Sequence, residues 1–153
     1  MSAARMIEGA RNRLQTLESI PAGNPEWLNY YRDFEQFVIE FFSSHAELER
    51  AQVLLKNGDT TAARRALAAA KPEEAIRRYV RMSTRGRVSR GEEAIVISLN
   101  LRWLPYFVSL RQALGMEPVR VKLQPTKHEP LAQGAGTKTF FVDGARNLWG
   151  ALA

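Results

Sequence analysis

Cysteine is absent from this sequence of 153 residues, which excludes disulfides, thiolate catalysis and thiolate metal sites. The absence fits a reducing compartment, and a cytoplasmic location is expected. Histidine is almost absent too. His45 and His128 are the only two, and neither has metal-ligand spacing with the other, so no metal and no cofactor is expected. The "HE" at 128–129 is not followed by the second histidine of a zinc-protease helix. No apolar stretch reaches the roughly 18 uncharged residues of a membrane-span candidate. The first residues, "MSAARMIEGARNRL", lack the unbroken apolar core of a signal peptide. There is no nucleophile elbow and no glycine-rich phosphate loop after a strand. Glu92 and Glu93 are neighbours in sequence, and neighbours on a helix diverge, so they make a poor acid–base pair. A self-sufficient active site is not expected.

Apolar residues make up 45% of the chain and charged residues 25%, an ordinary balance for a soluble globular domain. The first half reads as helices. Met6, Ile7, Ala10, Leu14 and Leu17 recur at three- and four-residue spacing, which predicts an amphipathic helix over 3–18. "IPAGNP" breaks it. Asn24 is a good N-cap, and Pro25 suits the first helical position, where its missing N–H would be unpaired anyway. The next helix carries Trp27, Leu28, Tyr31, Phe34, Val38 and Phe41 on a broad stripe and runs on to a stop at Asn57–Gly58. Asp59 or Thr60 caps "DTTAARRALAAA", whose alanines favour helix and close packing. Pro72 then starts "PEEAIRRYVRMST", with glutamates in the first turn and arginines later, as the helix dipole prefers.

The stretch "VSRGEEAIVISLNLRWLPYF", residues 88–107, can be read two ways. With a period of two it is a strand, with Ile97, Leu99, Leu101 and Trp103 on one face and Ser98, Asn100 and Arg102 on the other. Three features favour a helix over 91–114: the capping-box spacing of Ser89 and Glu92, the lack of any turn residue across 92–104, and a continuation through "YFVSLRQALG". Pro105 would kink that helix, because it has no N–H for the carbonyl of Leu101. A helix this apolar should be central. Trp27, Tyr31, Phe34 and Val38 are expected to face Leu101, Leu104 or Val108 in one core.

After Gly115 the pattern alternates. "EPVRVKLQP", "TKTFFVD" and "ARNLW" predict a small antiparallel sheet. The expected fold is therefore mainly α, an antiparallel helical bundle with a small C-terminal antiparallel β-sheet. It forms one domain over 1–153, with the bundle in 1–115 and a β-hairpin or meander in 116–153. The long loop 124–138 between the first two strands carries His128, Glu129 and Gln133 beside Gly134, Ala135 and Gly136, and long loops are often functional. Arg102 is costly to bury unpaired. Asn100, Arg102, His128, Glu129 and Gln133 are accordingly the candidate ligand-binding residues. Glu129 is the natural partner for Arg102, with Glu35 and Glu40 as alternatives.

Net charge is +6, with a pI near 10.1. Arg64, Arg65, Arg77, Arg78, Arg81, Arg85, Arg87 and Arg90 crowd one part of the chain. Such arginines can contact phosphates. No aromatic residue is interleaved among them for base stacking and no nucleic-acid motif is present, so a solvated or salt-bridged surface is the preferred reading.

Three stretches, "PEWLNYYRDFEQFVIEFF", "ISLNLRWLPYFVSLRQALG" and "PTKHEPLAQGAGTKTFFVDGARNLW", together resemble the C-terminal helical accessory region that follows the catalytic barrel in large bacterial TIM-barrel glycoside hydrolases. The resemblance spans most of 25–150 and rests on aromatic-rich helices followed by a small β element. It implies an accessory region of a carbohydrate-active enzyme, with carbohydrate among the possible partners. There is no barrel in these residues and no acid pair, so the resemblance transfers no catalytic residue.

Two functions follow. The first is a non-catalytic helical module that packs on a larger enzyme or self-associates. The second is a small stand-alone ligand-binding protein or enzyme, with a pocket between segment 98–103 and loop 124–138. A basic nucleic-acid binder is a distant third, and no membrane partner is expected.

Overall fold

The computed structural model describes residues 2–21, 25–84 and 90–119. Contacts gather Met1–Val121 into one unit. Helix α1 spans Ala3–Ser19, α2 Pro25–Lys56, α3 Thr60–Ala69 and α4 Pro72–Thr84. Then α5, Arg90–Ser98, passes through a π turn, Leu99–Trp103, into α6, Leu104–Ala113. The described residues contain no strand. The sheet expected in 116–153 is therefore not shown: Met116 to Val119 are irregular, and the rest of that region lies outside the described residues.

Helix boundaries follow local chemistry. The Ser2 hydroxyl accepts from the Arg5 amide at 3.4 Å and caps α1. The Asp59 carboxylate accepts from the Ala62 amide at 2.9 Å and caps α3. Gly58 takes φ +79° at the end of α2, where the Gly58 amide donates to Leu55 and the Asp59 amide to Leu54. Gly115, at φ +61°, repeats the pattern after α6, with the Met116 amide donating to Arg111. Both are left-handed caps that satisfy the last carbonyls of a helix and need glycine.

The hub is α2, against which α1, α3 and α4 all pack. Arg13 meets Glu35 while Leu17 meets Arg32, so α1 runs antiparallel to α2. The Lys71 amide donates to the buried Ser44 hydroxyl at 3.1 Å, and Tyr79 meets Phe37 with ring centroids 4.8 Å apart, so α4 also runs antiparallel. Buried Ala63, Ala66 and Leu67 of α3 and Ala75, Ile76, Tyr79 and Met82 of α4 close the core. Small side chains let these backbones approach α2.

Two expectations change. The helix over 90–113 is not central, because Ile95, Ile97, Leu101 and Tyr106 along it are exposed. The core stripe of α2 is also displaced. Phe37, Val38, Ser44, Leu48 and Ala51 are buried, while Trp27 is 59% and Tyr31 48% exposed. Trp27, Tyr30 and Tyr31 instead pack on one another, with centroids 5.6 to 6.2 Å apart. Phe41 takes the place of Tyr31 as the link to the last helix, 4.5 Å from Trp103.

Charged side chains fix the registers. The Arg13 guanidinium donates to both oxygens of buried Glu35, at 2.6 and 2.9 Å. Arg78 donates to Glu40 at 2.7 and 2.9 Å and to Asp33 at 3.2 Å. Hydrogen bonding to Glu40 lifts the Arg78 guanidinium above its ordinary pKa, burial opposes this, and the charges of Glu40 and Asp33 add to it. Because the shift is upward, the arginine's contribution is intact at every pH below its ordinary value and is lost only above it.

Phe37→Ala should cost about 3–5 kcal/mol, as large-to-small core changes do, whereas Trp27→Ala should cost far less; urea unfolding of the two variants gives the comparison. Arg78→Met keeps much of the stem but removes the cation that half-buried Glu40 and Asp33 share. It should cost about 2 kcal/mol, and an unchanged urea midpoint would show that the pair contributes nothing net.

Candidate functional site

The least regular part of the described backbone is the π turn. Pro105 has no N–H to give to the turn before it. The Leu104 amide reaches back five residues to the Leu99 carbonyl instead of four. This widens the helix by one residue where the proline interrupts its ladder. Such turns recur at functional sites.

On the inner side of the turn, Asn100 is 4% exposed and Trp103 is also buried. The Asn100 Nδ2 and the Trp103 Nε1 have no hydrogen-bond partner among the described residues. Both are donors. Trp103 packs on Phe107 at 5.0 Å and on Phe41 at 4.5 Å. Phe41 also stacks on His45, with the rings 8° from parallel. The His45 Nδ1 is buried without a partner among the described residues, and its Nε2 lies 3.5 Å from Glu49. The arrangement offers N–H donors and aromatic faces. It does not bring a nucleophile to a base. Among the described residues, no three His, Asp or Glu side chains come together as metal ligands.

On the outer side, Leu101 is 44% and Tyr106 61% exposed, and Ile95, Ile97 and Pro105 join them. From Ala94 to Met116 the sequence has two arginines and no carboxylate. Arg111 is taken up by main-chain carbonyls, donating to Glu117 at 2.7 Å and Leu67 at 3.1 Å. Arg102 is exposed and has no partner among the described residues.

The five residues expected to bind a ligand thus fare differently. Asn100 is buried and Arg102 exposed, so the structure does not bring them together. The alternative partners for Arg102 are in use, since Glu35 holds Arg13 and Glu40 holds Arg78. His128, Glu129, Gln133 and the whole of loop 124–138 lie outside the described residues. Sequence reasoning missed Trp103 as a buried donor and missed the outer apolar face. The signal for that face was countable: apolar residues at 97, 101 and 105 inside a stretch without acids.

Within the arginine cluster, Arg78 is committed to Glu40 and Asp33, and Arg77 donates to the Glu73 carbonyl at 3.1 Å. No helix among the described residues is long and apolar enough to cross a membrane. Compared with known proteins, the chain matches no family model, no curated protein and no solved structure.

A buried N–H without a partner is costly. Asn100→Leu, close in size and apolar, should therefore raise stability by about 1 kcal/mol. A fall in the thermal midpoint on this substitution would mean that the amide has a partner beyond the described residues.

Proposed function

We propose that the chain is a non-catalytic helical module that packs on a larger protein through the outer face of α5, the π turn and α6. One observation carries this reading. A helix that should bury its apolar side chains on both sides leaves Ile95, Ile97, Leu101 and Tyr106 in solvent. Contiguous apolar surface on a folded chain marks an interaction site more often than an accident of composition. Tyr and other large side chains also supply much of the energy of such interfaces. The resemblance found in the sequence makes a carbohydrate-active enzyme a candidate for the larger protein. The docking role does not depend on it.

A second reading rests on Asn100 and Trp103. Two buried donors lacking partners among the described residues would suit a small molecule presenting acceptor atoms to the π turn. It ranks below docking because the donors come without a charged group or a base near them.

Ile97→Asp combined with Leu101→Asp tests the docking reading. Both positions are exposed, so the thermal midpoint should move little, by roughly 0.5 kcal/mol or less in stability. Fluorescence of an apolar-surface dye on the folded chain should drop sharply. An unchanged dye signal, or a collapse of the midpoint, would show that this face is not free surface.

A further inference from the structure

Resting on that docking reading, we infer that the partner is an acidic amphipathic helix, with an apolar stripe that lies along α5 and α6 and a carboxylate set opposite Arg102. Exposed apolar residues at 97, 101 and 105 recur every four residues along this face. That spacing offers a helix a row of side chains to seat between its own i, i+3 and i+4 ridges. Specificity then lies in the one charge. Arg102 is the single cation on this face without a partner among the described residues, and no carboxylate occurs between Ala94 and Met116 to neutralise it. A partner carboxylate can take two parallel hydrogen bonds from the planar guanidinium, and the apolar surround sharpens the pairing.

The same charge argues against a second copy of the chain. Arg102 sits close to the midpoint of Ala94–Ala113. A two-fold pairing of this face about its middle, parallel or antiparallel, sets Arg102 beside its own symmetry mate, with no acid nearby to offset the repulsion. The sequence from 120 to 153 carries five basic residues and two acidic ones, and one of the acids, Glu129, is the partner first expected for Arg102. Both alternatives remain as outcomes of the test.

The absence of cysteine gives a clean probe. In the full chain, Leu101→Cys introduces the only thiol, and its rate of maleimide labelling reports whether the face is open. Binding is measured with a designed helical peptide of about 18 residues, roughly five turns, carrying a leucine stripe with one central Glu. A second peptide has Lys in that position. The expected result is labelling close to the rate of a free thiol, a monomeric chain, and the Glu peptide bound about five- to tenfold more tightly than the Lys peptide. Arg102→Glu should invert that preference. Slow labelling would overturn the docking reading itself, because the face would be covered by the chain or by a second copy. A dimer that Leu101→Asp dissociates would replace the acidic partner with self-association. Rapid labelling with equal affinity for the two peptides, a reversed preference, or binding of neither, would overturn the acidic-helix inference and leave an open face.

Discussion

Two carboxylates in the packed side of α2, Glu35 and Glu40, must each be given a cation, and the arrangement of the bundle follows from how that is done. A carboxylate in such a position is strongly destabilising if left alone. Arg13 reaches Glu35 from α1 and Arg78 reaches Glu40 and Asp33 from α4. Each guanidinium makes forked contacts that a lysine could not match. The pairs therefore set where α1 and α4 lie along α2, while apolar burial supplies the bulk of the attraction. Tyr79 can meet Phe37 because Arg78, next to it in sequence, is already seated two turns of α2 wide.

Much of the helical frame was legible in the sequence, because it is written in local chemistry. Asp59, Gly58 and Gly115 mark helix ends through hydrogen bonds within a few residues, and Pro72 opens α4 at a position where a missing N–H costs nothing. The choice of helix over strand for 91–114 also rested on local signals, and the structure is helical over Arg90–Ala113. What was not legible depends on the neighbours. The broad aromatic stripe of α2 allows several faces to be the inner one, and only the positions of α1, α3 and α4 select Phe37 over Trp27 and Tyr31. The pairing of Asn100 with Arg102 fails for a related reason. Residues two apart share a face in a strand but diverge in a helix, so a helical 98–103 cannot aim both at one ligand.

The two sides of the last helix divide the chemistry between them. Inward, Asn100 and Trp103 present donors to an aromatic environment. Outward, an apolar surface carries one cation. Several arginines are committed to Glu35, Glu40 and main-chain carbonyls, so the number of arginines overstates how many are free to meet phosphates.

The π turn has a consequence for how this helix tolerates change. A wide turn holds one residue more than the ladder needs, and everything after it is rotated by that residue's share of a turn, about 100°. Phe107 reaches the core only from that rotated position. Closing the wide turn into an unbroken α ladder without removing a residue would swing Phe107 away from the core and bring a solvent-side residue inward. Deleting one residue within Leu99–Trp103 would instead remove the surplus with the turn and keep Phe107 near its present phase. The turn is thus a phase-setting device: regularising the backbone there would scramble the packing beyond it.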